Sequence, residues 1–196
     1  MRIQTQAIVT FLGLSIVPLA MVGWLAYQNG EETIRQSLGL SFQHIAHEAI
    51  DKVDRGLYEV YQNIQTWADL ELVQEVITGD VDGKVSSFLI GLSKEYGYFS
   101  SLNALSRTGE VVASSVPELI GRDWKDERFY KEAIGGRAYV EDVHFDTVSR
   151  TWVVTFAFPI QAKFEEGEMI GVLCANWRVE ELVRMTQPLV AAGQGQ

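Results

Sequence analysis

The sequence predicts an α+β protein: an N-terminal transmembrane helix continuing into a long helix, then a five-stranded antiparallel sheet with flanking helices. Three observations carry this. An uncharged apolar run extends from Ala7 to Tyr27. Apolar positions then recur at a helical period as far as Trp67, and from Tyr98 onward the period falls to two.

The run Ala7–Tyr27 has 21 residues. At the rise of an α-helix that length spans roughly 30 Å, the thickness of a bilayer's hydrocarbon core. Pro18 and the glycines at 13 and 23 are tolerated in such helices, and Trp24 and Tyr27 suit the headgroup layer. Arg2 on one flank and Glu31–Glu32 on the other place the N-terminus inside and the remainder outside. A cleaved signal peptide is the rival. Its apolar core is shorter, and Gly23-Trp24-Leu25-Ala26 sets a Trp where cleavage wants small residues. The expected division is 1–6 cytoplasmic, 7–27 transmembrane, 28–77 a stalk and dimerisation helix, 78–186 a sheet-bearing module, and 187–196 a tail.

The net charge is −10, and Arg2 is the sole charged side chain before Glu31, so the outer part carries −11. That balance excludes nucleic acid as a partner, because phosphate backbones require clustered Lys and Arg. It also disfavours lying flat on anionic lipid. The lone cysteine, Cys174, sits in an apolar stretch and reads as a small core residue. No nucleophile–base pattern, glycine-rich phosphate loop or zinc motif occurs, so neither catalysis nor a cofactor is expected from this chain.

Residues 28–77 lack proline and read as one helix. Leu38, Phe42, Ile45, Ala49, Val53, Leu57, Val60, Ile64 and Trp67 form its stripe, with a mean step of about 3.6, the period of a straight helix. The stripe must be covered by the chain's own sheet or by a second copy. Thr78-Gly79-Asp80 is the expected stop. A shorter helix over 84–95 turns Phe88, Leu89 and Leu92 inward. Phe99–Leu105 and Val111–Ser115 flank Arg107-Thr108-Gly109-Glu110, a hairpin with Gly where a positive φ is wanted. Asp126–Ile134 reads as a helix stopped by Gly135-Gly136. Strands follow near Ala138–Phe145, Thr151–Ala162 and Met169–Trp177, then a helix from Val179 to Met185 ending near Pro188. Helices gathered beside an antiparallel sheet make the α+β class.

Leu105-Ser106-Arg107-Thr108-Gly109-Glu110-Val111-Val112-Ala113-Ser114-Ser115, then Ile120-Gly121-Arg122-Asp123-Trp124, resembles the Cache family of extracytoplasmic sensor domains. Arg128-Phe129-Tyr130-Lys131-Glu132-Ala133, Ala157-Phe158-Pro159-Ile160 and Ile170-Gly171-Val172-Leu173 continue the likeness. The resemblance implies a PAS-like fold and the ligand-sensing region of a bacterial receptor, of chemoreceptor, histidine kinase or diguanylate cyclase type. It implies a periplasmic or extracellular module, single-pass in the cell membrane, that binds a small molecule such as an amino acid or organic acid. The chain has room for one such module, and no second membrane run or output region follows it, which is expected of the N-terminal portion of a longer receptor or, as the alternative, of a stand-alone sensor. The reading from a different class is an anchored adaptor with a solid core that binds a protein partner.

In that fold the ligand lies between the sheet and the crossing segment, here Gly121–Gly136. Arg128 offers a planar fork for a carboxylate, and Tyr130 and Tyr139 offer rings with a hydroxyl. Asp142 or Asp146 would accept from an amine, and Trp124 or Trp152 would form a wall. Amino-acid-binding members carry Arg-x-Trp-Tyr. Matching Phe129-Tyr130 to Trp-Tyr puts Glu127 where the arginine is expected, which puts the clamp in doubt. Each candidate has a plainer alternative. Asp146 is also a turn former, Trp152 also a core residue, and Arg128 also a partner for Asp126 or Glu132. Asp123 and Asp126 are expected to cap the short helix. His44, His47 and Glu48 fall off the apolar stripe and read as exposed helix face, not a metal site.

Overall fold

The structure, a computed structural model, describes residues 2–163 and 167–193, with side chains described at 15, 16, 18–25, 42–163 and 167–187. Ile50–Pro188 forms one compact unit, and Met1–Ala49 with Leu189–Gln196 forms another. In the second of these, α1 (Arg2–Ala68) is helical from Arg2 to Ala49. Among the described residues no helix is long and apolar enough to cross a membrane. Much of the run expected to do so, including 7–14 and 26–27, lies outside the described side chains.

In the larger unit the order is the last turns of α1, a 3-10 helix (Glu71–Thr78), α2 (Lys84–Tyr96), β1 (Phe99–Ser106) and β2 (Val111–Ser114). A 3-10 turn (Pro117–Leu119), α3 (Arg128–Ile134), β3 (Tyr139–Asp146), β4 (Thr151–Gln161), β5 (Met169–Arg178) and α4 (Glu180–Gly193) complete it. The five strands are antiparallel throughout, in the order β2-β1-β5-β4-β3. The α+β class and the five strands agree with the sequence reading.

Two helix ends differ from it. The long helix stops at Ala68, and Leu70 is extended before the separate 3-10 helix begins. The reason is phase. Four residues beyond Trp67 a continuing helix would carry Glu71 onto the buried face, with Gln74 and Glu75 next. Breaking at Leu70 resets the chain so that Val73 and Val76, not the carboxylates, enter the core. At the other end α4 continues through Pro188 to Gly193, beyond the expected stop. Proline removes one backbone bond but does not end this helix, and good helix formers follow it.

One face of the sheet is wholly apolar. Val60, Ile64, Trp67 and Ala68 of α1, Val73 and Val76 of the 3-10 helix, and Val85, Leu89 and Leu92 of α2 pack there against Leu102, Phe156, Phe158, Leu173 and Trp177. Phe88 is partly buried against the same core. Each large side chain removed from water contributes roughly 1.5–3 kcal/mol, so this layer dominates stability. The lower part of the α1 stripe is therefore covered by the chain's own sheet. Farther up, Phe42 is 63% exposed.

Local chemistry fixes the entry to α2. Asp80, itself buried with a φ of 53°, accepts from the backbone N–H of Val85 at 2.8 Å and of Ser86 at 2.9 Å, and from the Ser86 hydroxyl at 2.6 Å. Three free donors at a helix start are thus met by one carboxylate. Asp82 and Glu75 lie beside it, and Lys84 pairs with both.

Two substitutions test this packing. A Cβ at Gly171 would lie 2.3 Å from the Leu105 carbonyl oxygen, so Gly171→Ala forces β1 and β5 apart. Its expected cost is roughly 3 kcal/mol, read as a lowered denaturant midpoint; an unchanged midpoint contradicts the close approach. Asp80→Ala leaves the α2 donors unmet and lowers stability by about 1–2 kcal/mol, with helix content reduced by circular dichroism.

Candidate functional site

The opposite face of the sheet is divided. At one end Leu105, Val111, Ala157, Val172 and Cys174 meet Phe129, Tyr130 and Ala133 of α3 in a second apolar cluster. Burial pushes the Cys174 thiol far above its usual range, so it is inert. At the other end the same alternating positions become polar: Ser101 and Asn103 on β1, Thr155 on β4 and Asn176 on β5, all at most 8% exposed.

Strand register sets these four side by side. Ser101 pairs with Asn176, Thr155 pairs with Asn176, and Glu141 pairs with Thr155. Hydrogen bonds run along them. The Thr155 hydroxyl donates to Asn176 Oδ1 at 2.7 Å, and Asn176 Nδ2 donates to Ser101 Oγ at 3.1 Å. Asn103 Nδ2 donates to the same oxygen at 3.0 Å, and Ser114 Oγ donates to Asn103 Oδ1 at 2.7 Å. Five buried polar side chains, Ser114 included, thereby find partners in one another, at a sheet face where apolar residues would be expected to fill the space.

A cavity of about 340 Å³ opens above Thr155 and Asn176. Its roof and walls are Trp124, Phe129 and Phe145, with Arg122, Glu127, Glu141, His144 and Asp146 around them. The approach to α3 holds the roof. Glu110 and Asp123 form an isolated antiparallel bridge, and Trp124 N–H donates to the Gly109 carbonyl at 2.8 Å. Gly109, with a φ of 89°, is needed twice: it turns the hairpin, and a Cβ there would lie 2.6 Å from Lys125 Cα. Trp124 then meets Phe129 edge to face at 5.8 Å.

Of the residues expected at a site, Trp124 and Asp146 line this cavity. Asp146 is also a turn former: its carboxylate accepts from Val148 N–H at 3.0 Å and from the N–H and hydroxyl of Ser149 at 3.2 and 2.5 Å. The others lie elsewhere. Arg128 is exposed with its guanidinium 5.5 Å from the Tyr139 ring centre, and Tyr139 packs on the apolar cluster. Glu132 pairs with Arg137 and Asp126 with Lys131, so neither holds Arg128. Tyr130 is buried, its phenol pushed up by burial, and its hydroxyl donates to the Arg107 carbonyl at 2.7 Å, tying α3 to the β1–β2 hairpin. Asp142 faces the other side of the sheet, in a groove with Leu57, Tyr58 and Val140. Trp152 is 55% exposed and stacks edge to face on Phe145, so it is not core.

The expected caps of α3 are also corrected. Its N-cap is Glu127, without a side-chain bond, while Asp123 accepts from Lys125 N–H at 3.0 Å within the loop. His44 and His47 are exposed, and His44 Nε2 lies 3.7 Å from Glu48.

Two larger grooves carry less chemistry. The one with Asp142, about 430 Å³, is an apolar seam between α1 and β3–β4. The other, about 600 Å³, lies between the 3-10 helix and the β1–β2 turn. There Gln74 already bonds Gln161 O and Lys163 N–H, and Arg107 pairs with Glu168. Neither has a row of buried polar side chains beneath it. Sequence reasoning missed Ser101, Asn103, Thr155 and Asn176; the local trace is Ser101 and Asn103 two apart on β1 and one polar residue within each apolar stretch of β4 and β5.

No family model matches the chain. A methyl-accepting chemotaxis protein, McpA of Bacillus subtilis, is 23% identical over 200 residues, covering 98% of this chain and 29% of McpA. The sensor domain of the Vibrio cholerae histidine kinase DctB superposes with a TM-score of 0.62 at 17% identity, over 78% of this chain and 60% of DctB's. The ligand-binding domain of the Campylobacter jejuni chemoreceptor Tlp3, in complex with 4-methylisoleucine, gives 0.60 at 21%, over 79% and 62%. The Escherichia coli DcuS sensor domain gives 0.57 at 13%, over 68% of this chain and 96% of that domain. The chain thus has the PAS-like, Cache-type fold of receptor sensor domains. It spans under a third of the curated relative and about three-fifths of the first two solved domains.

The role assigned to Tyr130 is testable. Tyr130→Phe is expected to lower stability by about 1 kcal/mol through loss of one hydrogen bond. It leaves any ligand affinity unchanged, since Tyr130 does not line the cavity; a large affinity loss would place Tyr130 in the site.

Proposed function

We propose that this chain is the extracytoplasmic ligand-sensing region of a bacterial signal-transduction receptor, binding a small molecule in the cavity between β3–β5 and the Arg122–Phe129 roof. One observation carries the reading. A sheet face that is apolar under α3 turns polar at Ser101, Asn103, Thr155 and Asn176, a hydrogen-bonded group of which Thr155 and Asn176 line a cavity. An adaptor with a solid core has no use for that arrangement, whereas a ligand pocket needs a few oriented polar groups among apolar walls. The relatives support the same reading: McpA is a chemotaxis protein, DctB's matched domain is a histidine kinase sensor domain, and Tlp3's is a chemoreceptor ligand-binding domain in complex with 4-methylisoleucine. The chain's own part is to bind, and a kinase, cyclase or methylated output region belongs to the rest of a longer receptor.

Membrane attachment is part of the proposal. Leu19, Met21, Val22 and Trp24 are 65–79% exposed on α1, a surface suited to lipid. Their helix would place residues 1–6 in the cytoplasm and the sheet-bearing module outside. Binding would draw the roof onto the sheet, and the apolar core shared by the sheet and the end of α1 would pass the change to that helix. Phe42, Ile45 and Ala49 continue the α1 stripe with only partial cover, and a second copy packed along them completes it.

Two measurements check this. In a thermal-shift screen of small polar metabolites on the whole chain, one chemical class is expected to raise the melting temperature by several degrees. Trp124→Ala and Asn176→Leu should each remove that shift. No shift, or one untouched by both substitutions, contradicts the cavity. By analytical ultracentrifugation in detergent the chain should sediment as a dimer and Phe42→Glu as a monomer; a monomer in both removes the dimer.

A further inference from the structure

We infer that the ligand is a small organic cation, a protonated amine on a short hydrocarbon or aromatic body; this rests on the ligand-sensing reading above. The charge around the cavity points there. Three carboxylates, Glu127, Glu141 and Asp146, line it against one guanidinium, Arg122. An anion entering would meet two uncompensated negative charges. An ammonium would offset one of them.

The three carboxylates are not equivalent. Asp146 already accepts three hydrogen bonds from its own turn, so it supplies charge but little free acceptor capacity. Glu127 is exposed at the start of α3 and makes no side-chain cap bond, so its interaction is screened by water. Glu141 is half-buried and paired in register with Thr155, beside the polar floor. The cationic candidate near it, His144, places Nδ1 4.0 Å away and 3.0 Å from the Asp142 carbonyl, to which it donates. Glu141 is therefore the principal acceptor for an ammonium group.

The rest of the lining fits the same guest. Trp124, Phe129 and Phe145 present aromatic walls, and ring faces attract cations as well as hydrocarbon. The Thr155 oxygen keeps lone-pair capacity for a further bond, its own proton being committed to Asn176 Oδ1. Arg128, the expected carboxylate clamp, is stacked on Tyr139 outside the cavity.

Isothermal titration of the whole chain separates the possibilities. The cationic probes are phenethylamine, ethanolamine and putrescine; the counter-probes are phenylacetate, succinate and L-valine. At least one cation is expected to bind. Glu141→Gln, which keeps the shape, should weaken it about tenfold or more, while Arg122→Ala leaves it unchanged or tighter. Binding by counter-probes alone, or a loss on Arg122→Ala without one on Glu141→Gln, overturns the cation and leaves the sensing reading intact. Silence from both sets overturns the sensing reading and this inference together.

Discussion

The organising constraint in this protein is that one sheet must serve two different neighbours. On one face every inward residue of β1, β4 and β5 is apolar and sealed by α1, the 3-10 helix and α2. On the other face the seal is partial: α3 covers the end near Leu105 and Val172, and stops. Beyond it the sheet carries Ser101, Asn103, Thr155 and Asn176, which bond to one another. An apolar floor left uncovered would collapse or recruit a partner, and an unbonded polar one would destabilise the fold. A bonded polar row under a loop roof keeps the space open while the opposite face supplies stability. Site and scaffold are therefore opposite sides of the same strands.

This arrangement also gives a route for a binding signal. β4 and β5 place Thr155 and Asn176 under the cavity and place Phe156 and Trp177, their immediate neighbours in sequence, in the core that holds Ile64 and Trp67. Alternation along a strand means that a shift of a few tenths of an ångström on one face is felt on the other, because close-packed interiors transmit strain. The roof is the softer partner. Trp124 is held by two backbone bonds, to Gly109 and from Glu127, by an edge contact with Phe129 and by the short bridge at Asp123, all outside the ladder of β3, β4 and β5.

Much of the fold was legible because periodicity survives in the sequence. The β1–β2 hairpin follows from Gly109 between alternating runs, and α2 from the spacing of Leu89 and Leu92. The break after Ala68 was hidden by the length of the stripe, although Glu71 and Gln74 at the next inward positions were its signature. The site was harder to read. Arg128 and Tyr130 were chosen by side-chain type, but a seven-residue helix has one phase, and that phase turns Phe129, Tyr130 and Ala133 inward and Arg128 outward. Trp124 and Asp146 were legible because loop and turn fix them locally. The floor was not, since Ser101, Thr155 and Asn176 become neighbours only through strand order β1-β5-β4, which no local pattern reveals.

The central claim is the location of the bound molecule, and a crystal structure of the chain with its ligand tests it most directly. The account predicts electron density above Thr155 and Asn176, under Trp124, with a ligand nitrogen within hydrogen-bond distance of Glu141. Density instead in the seam beside Leu57 and Asp142, or in the groove between Gln74 and Thr108, would contradict it.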